Sequence, residues 1–190
     1  MNSCKSRLAI VALAFIAGGL NARADDYTVD AAHSAATFRA SHVGLTWIPG
    51  RFKDVSGTMT VDAKNAAANR FELTTKVDGI DTNNAKRDEH LKSPDFFNAK
   101  QHPTITFKSK SAKQVDGGLE VSGDLSLHGV TKPVTIVFKG GKSTEFPKGV
   151  QRIGYTADFT IKRSDFGMDK MLEAVGDEVQ VQFAVEGTKK

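Results

Sequence analysis

From Asp25 onward the chain alternates apolar and polar residues in segment after segment, the mark of strands with one face buried and one in water. Phe71, Leu73, Thr75 and Val77 project one way, and Glu72, Thr74, Lys76 and Asp78 the other. Ile105 and Phe107 alternate with Thr104, Thr106 and Lys108. Three longer runs follow: Leu119, Val121, Gly123, Leu125 and Leu127; Ile153, Tyr155, Ala157, Phe159 and Ile161; and Val179, Val181, Phe183 and Val185. Noisier strands are expected at 27–30, 34–42, 51–62 and 132–140, with turns at Asp116-Gly117-Gly118 and Gly140-Gly141. That makes eight or nine strands. Their connections are mostly too short for parallel crossovers, so the sheet must be antiparallel. One apolar face per strand demands a sandwich or a closed barrel, and long sequential strands favour an up-and-down barrel. With eight strands its interior is filled by side chains or holds one small ligand. Charged outward positions such as Glu72, Lys76, Lys108 and Lys162 speak against an outer-membrane barrel with a lipid-facing surface.

One interruption breaks the meander. Alternation stops between Asp81 and Pro103, where Asn84–Lys92 reads as a short helix. Ser93-Pro94-Asp95 then reads as the start of a second helical turn, with Phe96 and Phe97 on it and Asn98 as its stop. Two adjacent Phe need an apolar destination, and the open end of a barrel is the nearest. The segment 81–103 is therefore expected to be a lid or plug. A second non-strand stretch, 164–177, carries Phe166, Met168, Met171 and Leu172 and is expected at the same mouth.

Residues 1–24 read as a cleaved secretory signal. Lys5 and Arg7 precede the apolar run Leu8–Leu20, and Ala22-Arg23-Ala24 supplies a small-residue cleavage site. Thirteen residues span roughly 20 Å as a helix, short of the roughly 30 Å bilayer core, so no stable membrane span is expected. Of the 26 basic side chains, Lys5, Arg7 and Arg23 leave with the signal, so 23 basic face 22 acidic ones in the remainder. A near-neutral domain lacks the electrostatic footprint of a nucleic-acid binder. The single cysteine, Cys4, leaves too, which excludes disulfides, thiolate metal sites and cysteine nucleophiles. Residues 25–190 form one domain, held together by its core alone.

The polar constellations are weak. His33, His42, His90, His102 and His128 show no tight metal-ligand spacing, and neither metal nor cofactor is expected. Asp30, His33 and Ser34 suggest an acyl-transfer triad, but adjacent strand positions project apart and no nucleophile elbow exists. Gly140-Gly141-Lys142-Ser143 lacks the first glycine of a phosphate loop, and Asp165-Phe166-Gly167 stands without any other kinase element; both read as loops. Arg39 reads as a buried arginine paired with Asp30 or Asp54. Lys86, Arg87, His90 and Lys92 on the lid form either a solvated helix face or a cationic rim for a head group. The aromatics weigh more. Phe38, Phe71, Phe107, Phe138, Phe159 and Phe183 lie on strands, either in a solid core or around a cavity.

Several segments resemble the YceI-like family of exported polyisoprenoid-binding proteins, across essentially the whole chain after the signal. They are Tyr27-x-x-Asp30-x-x-His33-Ser34 with Phe38, His42 and Gly44; the stretch from Ile80 to Phe97; Pro103–Phe107; Leu125–Val134; Ile161–Gly167; and Val175–Val179. Tyr27 stands where many relatives carry Trp. The resemblance implies a lipocalin-like, eight-stranded antiparallel barrel with a short helical lid segment, in the periplasm. It also implies a long isoprenoid-type lipid, polyprenyl or quinone, held in the lumen. The ligand-binding residues expected on that basis are the six strand Phe together with Leu91, Phe96 and Phe97, with Arg87, His90 and Lys92 as the head-group rim. The expected function is non-catalytic binding and transport. The alternatives are a solid-core interaction or stress-response protein and, behind it, an enzyme acting on a lipid. Oligomeric state, a homodimer included, stays open.

Overall fold

The computed structural model describes residues 24–190; the expected signal peptide, apart from Ala24, lies outside them. Eleven strands and one helix follow in order: β1 (Asp25–Val29), β2 (Ala35–His42), β3 (Thr46–Phe52), β4 (Ser56–Val61), β5 (Arg70–Lys76), β6 (Ile80–Asp81), α1 (Ala85–Lys92), β7 (Thr104–Val115), β8 (Gly118–Leu127), β9 (Val130–Glu145), β10 (Gln151–Lys162) and β11 (Val175–Lys189). All pair antiparallel in one sheet. Its order is β1-β4-β5-β7-β8-β9-β10-β11-β2-β3-β6, with β1 also paired to β11.

Eleven segments make eight staves. β1 and β2 pair in succession along β11, Tyr27 opposite Lys189 and His42 opposite Val175, so they are one stave broken at Ala31–His33. β3 and β4 form the next stave and β5 and β6 the third. The ring then runs through β7, β8, β9, β10 and β11 back to β1 and β2: a closed, eight-stranded, up-and-down barrel. The single strand expected at 51–62 is thus two pieces. Its break is made from a neighbour, where the Thr75 hydroxyl donates to the Lys53 carbonyl at 2.9 Å and Lys53 N–H to the Gly79 carbonyl at 3.1 Å. Asp54 there takes a positive φ of 61° and Val55 turns inward, 2% exposed.

Gly140-Gly141, expected as a turn, lies within a strand. β9 runs through it to Glu145 as a bulge, the register shifting where Tyr155 faces Gly140 and Gly154 faces Lys142. Gly141, at φ 77°, is required: a Cβ there would stand 3.0 Å from the Tyr155 ring. Beyond the bulge the ladder between β9 and β10 covers 139–145 with 151–156 and stops. Pro133 lies in the half of β9 that pairs with β8 but not with β10, and has no N–H to offer.

Inward residues fill one end of the barrel tightly. Tyr27, Met59, Phe71, Val121, Phe138, Ile153, Tyr155 and Val185 are all buried in one cluster. Phe71 stacks on Phe138 at 4.9 Å and meets Tyr155 edge-on at 5.4 Å. Burial pushes the Tyr155 hydroxyl up to about 12.

Candidate functional site

The other end is hollow. A cavity of about 180 Å³ lies between the packed cluster and the lid, lined by β2, β3, β5, β7, β8, β9, β10 and β11 and covered by Leu91, Phe96 and Phe97. Its lining is apolar apart from a few threonines and Arg163. Several of its side chains, Phe38, Phe159, Val181 and Phe183 among them, are only partly buried. That is expected where inward residues border space rather than one another.

Two non-strand segments cap this end, and each stands where the wall is incomplete. β6 pairs only with β3, so the wall between it and β7 is open, and 82–103 fills that place. α1 is nucleated by Asn84, whose side chain accepts from Arg87 N–H at 3.0 Å, while Asp88 reaches back to Thr82 N–H at 2.9 Å. Leu91, inward from its last turn, lines the cavity. Ser93 caps the expected turn, its hydroxyl accepting from Asp95 N–H at 3.3 Å and its carbonyl from Phe96 N–H at 3.1 Å, but the turn does not extend into a helix. The N–H groups of Phe97, Asn98 and Ala99 instead return to the carbonyls of Leu91, Ser93 and Lys92. The same turn closes off the last carbonyls of α1. This folding-back aims the two Phe at different walls. Phe97 meets Phe52 edge-on at 5.4 Å, and Phe52 meets Phe38 at 5.4 Å. Phe96 lies under the Arg163 guanidinium, 5.9 Å from its ring centre.

The second segment follows β10, where the β9–β10 ladder has ended. Arg163–Phe166 forms a short 3-10 turn, and the Phe166 carbonyl pairs with His128 Nδ1 at 2.9 Å in the β8–β9 connection. Phe166 and Met168 are buried there, but Met171 and Leu172 stand out in solvent at 38% and 41% exposure. Leu45, 81% exposed, and Trp47 project from the neighbouring β2–β3 hairpin, whose Val43 N–H bonds the Ala174 carbonyl.

Of the residues expected to touch ligand, Phe38, Leu91, Phe96, Phe97, Phe107, Phe138, Phe159 and Phe183 come together around the cavity. Phe71 does not; it sits in the packed cluster with no exposed surface. Gly50 explains the posture of Phe38: a Cβ at Gly50 would stand 2.4 Å from the ring, which lies flat across that backbone. Arg87, His90 and Lys92 lie outside the lining. Arg87 donates to Thr82 Oγ1 and O, His90 Nε2 pairs with Asp95 at 3.1 Å, and Lys92 with Glu89 at 3.0 Å, which raises the Lys92 pKa.

Asp30, His33 and Ser34 form a structural cluster instead of a triad. Asp30 caps the turn that breaks the first stave and bonds Arg152 at 2.7 Å and His33 Nδ1 at 2.8 Å. With those partners, Arg152 first, its carboxyl falls to about 2. Ser34 Oγ donates to the Asp30 carbonyl and accepts from Glu186 N–H. Arg39 pairs with neither Asp30 nor Asp54. It follows Phe38 on the strand and so points outward, where it donates to Gln180 at 2.6 Å and lies over Trp47.

The buried arginine is Arg163, 4% exposed, with Nε, Nη1 and Nη2 donating to the carbonyls of Gly176, Met168 and Val175. Its signal in the sequence is parity, for Arg163 continues the inward phase of Phe159 and Ile161.

Comparison with known proteins agrees with this architecture. The YceI-like domain family matches residues 27–187. Protein YceI of Escherichia coli is 40% identical over 185 residues, covering 96% of each chain. Among solved structures, BcnA of Burkholderia cenocepacia superposes with a TM-score of 0.75 at 25% identity, covering 83% of this chain and 98% of its own. A polyisoprenoid binding domain from Saccharophagus degradans, implicated in plant cell wall breakdown, shares the fold at a TM-score of 0.63 and 17% identity, covering 86% and 98%.

Proposed function

The chain belongs to the YceI-like domain family, and from that premise we propose that it is an exported, non-catalytic carrier of a long isoprenoid-type lipid. The lipid is a polyprenyl chain or a quinone, with its tail in the barrel lumen. The observation that carries this reading is the cavity: apolar walls, a packed floor and a lid that contributes two Phe and a Leu. Burial of apolar surface at about 25 cal/mol per Å² binds such a tail without polar contacts. The likeness of fold to a polyisoprenoid binding domain supports it. The Leu8–Leu20 run and the Ala22-Arg23-Ala24 site support export, with the periplasm as the compartment.

Size constrains how the tail is held. Ligand pockets usually measure about 300–1,000 Å³, whereas this lumen offers about 180 Å³. A long tail must therefore displace the partly buried side chains or leave part of itself beyond the mouth. Phe38, Phe159 and Phe183 are the side chains with room to move.

The test is native mass spectrometry of gently isolated protein, followed by organic extraction of what it carries. A discrete added mass matching an isoprenoid quinone or polyprenyl lipid is the expected result. An apo mass with no uptake of offered isoprenoids would favour an interaction or stress-response protein instead. Leu91→Asp or Phe107→Asp should abolish uptake in folded protein; retained uptake would move the site out of the lumen.

A further inference from the structure

Arg163 is a charge for which a greasy tube has no use. Among the described residues it is the one ionisable side chain in the cavity lining, and it is almost fully buried. All three of its hydrogen bonds go to backbone carbonyls: Gly176 at 3.1 Å, Met168 at 2.6 Å and Val175 at 2.6 Å. Neutral donors could satisfy three carbonyls, so a buried cation is more than that task needs. A guanidinium has five N–H donors, which leaves one on each terminal nitrogen beyond these bonds. The group lies over Phe96, where the lid meets the cavity wall, so a tail in the lumen would place its end near it.

The surroundings say what kind of head group fits. Asp177, Asp169 and Glu173 lie close enough to favour the charged form of Arg163, opposing the push of burial. Asp177 is itself fixed by Ser164, accepting from N–H and Oγ at 2.9 Å each. These carboxylates weaken the pull of Arg163 on an anionic head such as a phosphate. A head with no oxygen, in turn, would leave the spare donors dry and unpaired.

We propose that Arg163 reads the head group: its spare N–H donors bond an uncharged, carbonyl-type oxygen at the end of an isoprenoid whose tail occupies the cavity. This rests on the lumen being the lipid site, as proposed above. Arg163 also holds the 163–176 segment in place, so the test must separate head recognition from that structural role.

Three probes with the same twenty-carbon isoprenoid tail do so, bearing a benzoquinone head, a monophosphate head or no head, each measured by displacement of a fluorescent apolar dye. The wild-type protein should prefer the quinone to the headless hydrocarbon by about tenfold or more, the worth of a hydrogen bond to a charged group. Arg163→Gln should lose that preference while its hydrocarbon affinity stays within about twofold. A variant that keeps the preference, or loses both affinities by the same factor, would overturn the assignment. So would a phosphate probe that binds the wild type more tightly than the quinone. Independently of any variant, the carbonyl stretching band of quinone bound to wild-type protein should move to lower frequency than in hydrocarbon solvent, and an unmoved band would also overturn it. If neither hydrocarbon nor quinone binds, the lumen reading itself has failed, and the role of Arg163 falls with it.

Discussion

The two ends of this barrel are built from the same alternating strands and differ in what the inward positions meet. At the packed end Phe71 and Phe138 face each other across the lumen and fill it. At the lidded end Phe38, Phe159 and Phe183 face space. Neighbouring staves lose their pairing at the lidded end: between β6 and β7, where the lid is inserted, and between β9 and β10, where the ladder stops short. A wall that bulges but stays paired goes with a solid interior, and gaps covered by irregular chain go with a hollow one. Segments that cover gaps need not share the packing that holds the packed end, so the lid can shift without unfolding the barrel.

Cavity-forming substitutions should test that contrast most severely. Phe71→Ala should cost about 3–5 kcal/mol in urea unfolding, as for a fully packed aromatic. Phe183→Ala, already bordering a cavity, should cost about 1–2 kcal/mol, since only part of its surface is buried. Equal losses would mean that the lidded end is as tightly packed as the other. The two glycines that lie under aromatic rings sharpen the point. Gly141→Ala forces a Cβ towards the buried Tyr155 ring at a positive φ, and should cost about 1–3 kcal/mol. Gly50→Ala meets Phe38, which can swing into the cavity. Its cost should stay below about 1 kcal/mol, with reduced uptake of isoprenoid as the visible effect.

Between the ends, Asp30 and Arg152 fasten the break in the first stave to β10. The Asp30 carboxyl sits at about 2 when folded, below its usual value of about 3.9 when unfolded. Its contribution is therefore present above about pH 4 and is lost as pH falls toward 2. Asp30→Asn should flatten the acid dependence of stability over that window while leaving its slope above pH 5 unchanged. The smallest effect belongs to the outer wall. Glu72→Gln, breaking an exposed pair with Lys108, should change stability by no more than about 0.5 kcal/mol.

Strand parity was legible because it is local. Leu119 to Leu127 on β8 and Ile153 to Ile161 on β10 point where the alternation says. The same parity would have placed Arg39 outside and Arg163 inside, had it been followed past the neighbouring charges. Height along the barrel is not legible, because alternation gives the face of a strand and not its level, so Phe71 shares the pattern of the cavity Phe without lining the cavity. Nor is the break in the second stave, since Lys53-Asp54-Val55 carries no glycine or proline and is bent by Thr75 from the next stave, whereas the break in the first stave is legible between 27–30 and 34–42. Gly140-Gly141 misled for the opposite reason. A glycine pair announces a turn, and only the partner strand makes it a bulge.

The pairing of β1 with β11 brings together the first and last strands, with Tyr27 opposite Lys189. Until the final strand has joined, β10 and the β1–β2 stave are exposed edges able to pair with another chain. Contacts so distant in sequence form slowly. A chain cut short within β11 would therefore lose more than fifteen residues' worth of contacts. It would be an open sheet, with no inside to bind anything and two edges available for aggregation.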